Sequence, residues 1–302
     1  MTAIYDCSVD SELLTGMRLA RSAIGRGELV VIPTDTVYGV AADAFAPKAV
    51  SRLLDAKGRD RTSPPPVLIP GIPTLDALAS EVPPVVRQLV GEFWPGGLTV
   101  ILHAQPSLQW DLGETRGTVA LRMPANPIAL ELLAETGPLA VSSANLSGEP
   151  SATAAADAAE MLGDSVSVYL DGGPAGGSYE AIGEREGDTS STIVDATGLA
   201  REGGRLRIVR AGVISRERIV AVVGEDLLEP ENAAEPEAEP EASAEAEAEA
   251  EAEAEAEAVA EPAAVAEPAA DAEPAAEAEP AASVAEPATA TAADDDGDAA
   301  AS

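Results

Sequence analysis

The chain has 302 residues, with 18 basic against 53 acidic side chains, a formal net charge of −35, one Cys and one His. A disulfide framework or a paired-Cys zinc site needs more than Cys7, a Ser-His-Asp triad would have to use His103, and no run of about 18 apolar residues exists to cross a membrane. Met1 to Ser11 shows no charged segment followed by an apolar core, so no signal peptide is expected, and the lone Cys fits a reducing cytoplasm.

In chain order, Ser8 or Asp10 is placed to cap a first helix, with Leu13, Leu14, Met17, Ala20 and Ile24 at helical spacing and Gly25 to Gly27 ending it. Leu29 to Ile32 is a short β-branched run and reads as a buried strand. Pro47 opens a second helix with Val50, Leu53 and Leu54 inward, stopped by Gly58. Val67 to Ile69 is strand-like, and Pro84 to Phe93 is helical up to Pro95-Gly96-Gly97. Leu98 to Leu102 and Thr118 to Leu121 read as strands, Pro127 to Glu135 as a helix and Leu139 to Val141 as a strand. Thr153 to Leu162 is an Ala-rich helix, followed by strands at Ser167 to Leu170, Thr192 to Val194 and Leu206 to Val209. Ser215 to Val222 is a closing helix. Alternating strands and helices predict an α/β domain over 1–228, and the irregular strand spacing after Leu98 predicts a mixed sheet.

Residues 229–302 differ in kind. They hold 24 acidic residues, 32 Ala and 8 Pro, and no basic or aromatic residue. The body before them therefore carries 29 acidic against 18 basic residues, a net of −11. Ordering a residue costs roughly 1–2 kcal/mol of backbone entropy, which alanine methyl groups do not offset over such a length. The Glu-Ala alternation from Ala244 to Ala258 puts like charges on one helical face, and the later Ala-Glu-Pro repeats break helix. The tail is read as a disordered, solubilising polyanion, with an acidic strip folding back on a basic groove as the sharper alternative.

No Gly-x-x-x-x-Gly-Lys loop and no Gly-x-Gly-x-x-Gly after a strand occurs, and Gly172 to Gly177 reads as a mobile loop near the site rather than a phosphate cradle. The informative polar residues cluster at strand and helix ends, where ligands of α/β sheets sit. Pro33-Thr34-Asp35-Thr36-Val37-Tyr38-Gly39 follows a buried strand and suits either a small polar ligand or an Asx-type turn. Arg52, Lys57, Arg59 and Arg61 cluster in a body of net negative charge; each alone complements a helix C-terminus, and together they suit a polyphosphate. Ser142-Ser143-Ala144-Asn145-Leu146-Ser147-Gly148 is either a polar turn or an anion site. Thr118 and Arg122 bracket one strand, Ser191-Thr192 begins another, and Arg210-Ala211-Gly212 ends the next. His103, Cys7, Phe93 and Trp94 read as ordinary structural residues.

These clusters, with Trp94-Pro95-Gly96, Ala120-Leu121-Arg122-Met123-Pro124 and Ser191-Thr192-Ile193-Val194-Asp195, stand in one order across roughly residues 15–222. In that order they resemble the YrdC-like threonylcarbamoyl-AMP synthases, whose hallmark is the pairing of Lys57-Gly58-Arg59 with Ser143-Ala144-Asn145. The resemblance implies a single YrdC-like domain, a twisted mixed sheet with helices around a basic cavity. It also implies a nucleotidyltransferase reaction: L-threonine and bicarbonate form a carbamate, which attacks the α-phosphate of ATP and releases pyrophosphate. The product, threonylcarbamoyl-AMP, serves the N6-threonylcarbamoyladenosine modification of tRNA through downstream transfer proteins. Attack at phosphorus needs positioning and charge neutralisation more than a covalent nucleophile.

Carried over to this sequence, the resemblance puts Lys57 and Arg59 on the ATP phosphates as the catalytic pair. Ser63, Thr118, Ser143, Asn145, Ser151 and Arg210 line the nucleotide, and Thr36, Tyr38, Arg122 and Ser191 hold threonine. Mg2+ is expected to bridge the phosphates with no metal site of protein residues. Asp60 stands where many relatives have Pro, Ser63-Pro64-Pro65 replaces Asn or Lys followed by Pro-Leu, and Leu68 stands where some have a threonine-binding His. Longer relatives carry a second C-terminal domain where this chain has its acidic tail. Two other readings remain: a noncatalytic module binding double-stranded RNA or tRNA, disfavoured by the negative charge, and carbamoyl transfer in hydrogenase maturation, disfavoured by the lack of Cys-rich zinc modules.

Overall fold

The computed structural model describes residues 3–179 and 189–230; the expectation of a disordered tail lies, beyond Pro230, outside the described residues. The elements run β1 (Ile4–Asp6), α1 (Asp10–Gly25), β2 (Val30–Ile32), β3 (Gly39–Asp43), α2 (Pro47–Lys57), β4 (Val67–Leu68), α3 (Ile72–Leu78), α4 (Pro84–Phe93) and β5 (Leu98–His103). They continue with β6 (Thr118–Arg122), α5 (Pro127–Thr136), β7 (Leu139–Ser143), α6 (Ala155–Leu162), β8 (Val168–Asp171), β9 (Thr192–Asp195), β10 (Arg207–Arg210) and α7 (Arg216–Val223). All ten strands form one sheet in the order β1-β8-β2-β3-β7-β4-β6-β5-β9-β10. The pairs β1/β8, β2/β8, β4/β6 and β5/β9 are parallel, and β2/β3, β3/β7, β4/β7, β5/β6 and β9/β10 are antiparallel. The mixed sheet is as expected.

Side-chain alternation explains why β2 is apolar throughout. Val30 and Ile32 pack with α1 and α5, while Val31 points the other way and packs with Leu53 of α2 and Ala155 and Ala158 of α6. A strand covered on both faces reads as a continuous hydrophobic run rather than an alternating one. A separate core forms around β5, where Leu98, Val100 and Leu102 meet Leu75 of α3, Leu89 and Phe93 of α4 and Ile219 of α7. Trp94 belongs to this core and donates its indole N–H to the Leu98 carbonyl at 2.7 Å. His103 is exposed, and Cys7 is half-buried, its thiol pushed up to about 11 chiefly by burial.

Two expectations fail for physical reasons. Leu14 is 71% exposed, because the inward face of α1 runs through Gly16, Met17, Ala20, Ala23 and Ile24 instead. Neither Ser8 nor Asp10 caps α1: the N-cap is Val9, and the Ser8 hydroxyl bonds the Asp6 carboxylate at 2.6 Å. β1, β3 and α3 escaped the sequence reading. β3 is Gly-Val-Ala-Ala-Asp and lacks the β-branched run that marks a strand; its partners β2 and β7 impose the conformation.

Gly16 is where α1 meets the sheet. A Cβ there would lie 2.8 Å from Leu170 Cδ2 and 2.9 Å from Tyr5 Cβ, both inside contact distance. Gly16→Val should therefore lower the unfolding free energy by about 1–3 kcal/mol. Leu14→Ala, two residues away on the opposite, open face, should stay within about 0.5 kcal/mol of the parent. Urea midpoints of the two variants check this, and equal midpoints would mean that helix and sheet do not meet closely there.

Candidate active site

The segment between β2 and β3 is a tight turn built on a hydroxyl. Thr34 Oγ1 donates to the Val37 carbonyl at 2.5 Å and accepts the N–H groups of Thr36 and Val37 at 3.2 and 3.3 Å. This sets the Thr36 hydroxyl against Arg122, which ends β6. Arg122 donates Nη1 to Thr36 Oγ1 at 2.8 Å, Nη2 to Asp35 Oδ1 at 2.7 Å and Nε to the Gly96 carbonyl at 2.9 Å. Both charged side chains of that ion pair are 7% exposed. Asp35 also accepts Ala125 N–H at 2.8 Å and, on its other oxygen, the Tyr179 hydroxyl at 2.9 Å. Burial, reinforced by the Asp35 charge, pushes the Tyr179 phenol up to about 12, so it remains a donor at neutral pH. A guanidinium has five N–H groups; among the described residues three are engaged, which leaves two for a ligand.

The second wall joins the end of α2 to the end of β7. Gly58, at φ 65°, reverses the chain after Lys57 and brings Arg59 beside Ser147. Arg59 donates Nε to Ser147 Oγ at 3.1 Å, and Ser147 N–H returns to the Lys57 carbonyl at 3.2 Å. Lys57 is 1% exposed, and its ammonium donates to the Ser143 carbonyl at 2.8 Å, the Asn145 carbonyl at 2.5 Å and Asn145 Oδ1 at 2.9 Å. The third wall comes from β5, β9 and β10. Thr99 and Ser191 share a hydrogen bond at 2.9 Å, and Arg210 donates Nε and Nη2 to the Ser191 carbonyl and Nη2 to its hydroxyl.

These walls enclose a cavity of about 230 Å3. Of the residues singled out by sequence, Thr36, Tyr38, Arg59, Arg122, Ser143, Ser191 and Arg210 line it. Lys57 and Asn145 stand behind the lining, with the Lys57 donors turned to Ser143 and Asn145 instead of the cavity. The Tyr38 hydroxyl is committed to the Gly173 carbonyl at 2.6 Å and to Asp171 at 3.1 Å. Ser63 is exposed and Ser151 half-buried, and neither reaches the lining. Thr118 pairs with His103 at the opposite end of β6 from Arg122, about 13 Å away by the rise of a strand.

The expected cation cluster is dispersed. Arg52 bonds the Gly27 carbonyl and Arg61 pairs with Asp111 on the surface, so of the four cations only Arg59 lines the cavity. The other cavity arginines, 122 and 210, come from the ends of β6 and β10. Asp60 accepts Thr62 N–H and hydroxyl in an Asx-type turn, which holds its carboxyl below the usual range, and the chain then lays Pro64, Pro66 and Leu68 along the cavity. Gly172 to Gly177 does lie beside the site and is anchored at Gly176, where a Cβ would meet the Thr36 carbonyl at 2.8 Å, while Gly173 and Gly177 have open space around them. Sequence reasoning missed Thr99 and Tyr179. A lone hydroxyl inside a buried strand was the available signal for Thr99; nothing local marks Tyr179, whose partner lies 144 residues away. Among the described residues no group of three His, Cys, Asp or Glu could hold a metal ion.

A family model named for Sua5, YciO and YrdC, and described as telomere recombination, matches residues 22–212. A Mycobacterium tuberculosis protein provisionally assigned as a threonylcarbamoyl-AMP synthase is 47% identical over 226 residues, 75% of this chain and 97% of that one. The threonylcarbamoyl-AMP synthase of Pyrococcus abyssi is 35% identical over 71% of this chain and 59% of its own longer one. The crystal structure of P. abyssi Sua5 complexed with L-threonine superposes with a TM-score of 0.63 at 34% identity, covering 76% of this chain and 63% of that one. Escherichia coli YciO, at 22% identity and a TM-score of 0.58, shares the fold. With the family's motifs gathered on one cavity and a family match spanning that cavity from Thr34 to Arg210, this chain belongs to the Sua5/YciO/YrdC family.

Proposed function

We infer that this chain is a threonylcarbamoyl-AMP synthase. The observation that carries the reading is the convergence of Arg122, Arg59 and Arg210 on one small cavity that also presents Thr36, Ser143 and Ser191. The arrangement suits a reaction in which every partner carries an anionic group: the threonine carboxylate, bicarbonate and the ATP phosphates. Two remaining N–H groups of Arg122 match an α-carboxylate in a bidentate pair, with the hydroxyls of Thr36 and Ser191 beside it. Arg59 and Arg210 supply positive charge for a triphosphate. The threonine amine and bicarbonate condense to a carbamate with loss of water. A carbamate oxygen then attacks the α-phosphorus, and the bond to the bridging oxygen breaks to release pyrophosphate. This makes the enzyme a nucleotidyltransferase, and the cavity's work is positioning and charge neutralisation.

Mg2+ would enter on the nucleotide phosphates. The described residues offer no carboxylate cluster for it, so no residue of this chain is assigned to it. The cavity is lined by residues from Thr34 to Arg210, so the catalytic domain is placed over 1–228 with an appended tail over 229–302. Among the described residues no helix is long and apolar enough to cross a membrane. A cytoplasmic enzyme handing threonylcarbamoyl-AMP to downstream tRNA-modifying proteins fits the chemistry, with tRNA itself contacted weakly or not at all given the net charge of −35.

Pyrophosphate release from Mg-ATP should require both L-threonine and bicarbonate. Release without threonine, or none with all three present, would sink the reading. Replacing Arg122 by Lys keeps a cation beside the buried Asp35 but removes a charge-assisted bond to the carboxylate, worth about 1.5–3 kcal/mol. The KM for threonine should therefore rise by roughly 10–100-fold, while that for ATP changes far less. Arg59→Gln should show the reverse pattern, with the ATP KM raised and the threonine KM nearly unchanged. Steady-state titrations of each substrate separate the two, and equal effects on both would remove the division of the cavity into a carboxylate end and a phosphate end.

A further inference from the structure

Lys57 is the most deeply buried charged residue among the described residues, and its geometry is not that of a phosphate ligand. An ammonium carries three N–H donors. Three acceptors stand within 2.9 Å: the carbonyls of Ser143 and Asn145 and the side-chain oxygen of Asn145. Ser143 Oγ follows at 3.5 Å. The residue is 1% exposed and does not line the cavity, whereas Arg59, two residues on, does.

The acceptors are themselves held. Asn145 uses its amide N–H groups on the Leu146 and Glu149 carbonyls at 2.8 and 2.6 Å, which turns Oδ1 toward Lys57. Ser147 links back to both strips, through N–H to the Lys57 carbonyl and through Oγ to Arg59 Nε. The carbonyls of Ser143 and Asn145 converge on one point, where their negative ends would repel one another, and the ammonium occupies that point. The Lys-x-Arg and Ser-x-Asn strips, 86 residues apart in the chain, thus form one cross-linked unit around a buried charge.

We propose that Lys57 is a positioning residue: its ammonium shapes the turn from Ser143 to Ser147, so that Ser143 and Arg59 are presented to the phosphates, and it does not itself contact them. The kinetic part of this assignment rests on the synthase reading above; the structural part does not.

The test uses the full chain without ligand. In Lys57→Met, amide hydrogen exchange across residues 143–149 should accelerate at least about tenfold, while exchange in α1 stays unchanged. Asn145→Leu should loosen the same amides, and the double variant should be little worse than the worse single one, because the two residues act as a unit. Lys57→Arg separates the roles. A planar guanidinium does not place three donors at one point, so the clamp predicts exchange as fast as in Lys57→Met. In all Lys57 variants that fold, kcat for pyrophosphate release should fall by about 100-fold or more, with the threonine KM within about threefold. An unloosened turn in Lys57→Met, or an Lys57→Arg enzyme retaining most of its activity, would overturn the proposal and return Lys57 to the phosphates. A wild-type chain that releases no pyrophosphate would defeat the synthase reading and leave the exchange result to decide the clamp.

Discussion

The buried pair of Arg122 and Asp35 is the constraint around which the site is arranged. Taking two charges out of water costs several kcal/mol per ion after relaxation, and their attraction offsets this only when the remaining donors and acceptors are met. Here they are met by four different parts of the chain. Gly96 and Thr36 take the other engaged Arg122 donors, and Ala125 and Tyr179 donate to Asp35. Among the described residues no buried side-chain nitrogen or oxygen lacks a partner. Satisfying this one pair therefore fixes the β2–β3 turn, the loop before β5, the loop after β6 and the segment after the Gly-rich loop in mutual register.

The mixed sheet makes that convergence possible. Because β3, β7 and β4 run antiparallel in sequence of pairing, the end of β7 at Ser143 lies across from the start of β3 at Gly39. The Thr34–Thr36 turn and the Ser142–Ser147 turn thereby become neighbours at one end of the sheet. β4 and β6 run parallel, which puts Leu68 beside Arg122. β9 pairs with β5, the strand next to β6, and carries Ser191 to the far side of the same opening. Gly39 permits a close approach of β3 to β7: a Cβ there would lie 2.5 Å from Val141 Cγ1.

This organisation explains what could be read in the sequence. Helices with an apolar stripe and a Pro or Gly boundary, such as Pro47–Lys57 and Pro84–Phe93, were legible because their signals are local. The polar ends of strands were legible as candidates because hydroxyls and arginines there have no packing reason to exist. Their division of labour was not. Whether a lysine faces a cavity or a carbonyl cage depends on a partner 86 residues away, and Lys57 and Arg59 look alike in sequence. The same limit applies to Arg52 and Arg61, whose partners Gly27 and Asp111 draw them off the site. β3 was missed for the converse reason, since two neighbouring strands impose an extended form on Gly-Val-Ala-Ala-Asp.

The three cavity arginines share one device. Each donates its Nε to the protein: Arg122 to the Gly96 carbonyl, Arg59 to Ser147 Oγ and Arg210 to the Ser191 carbonyl. A guanidinium held at Nε has its plane and its terminal nitrogens fixed before any ligand arrives. Ordering a rotamer-rich side chain on binding costs about 0.5–1.5 kcal/mol, and that cost has already been met in folding. A body of net −11 would repel its own anionic substrates if its surface alone set the field. Three pre-oriented cations in a recess reverse the sign where it matters. Because they are anchored to different elements, their charge is spread around the cavity in a fixed arrangement instead of being gathered at one point.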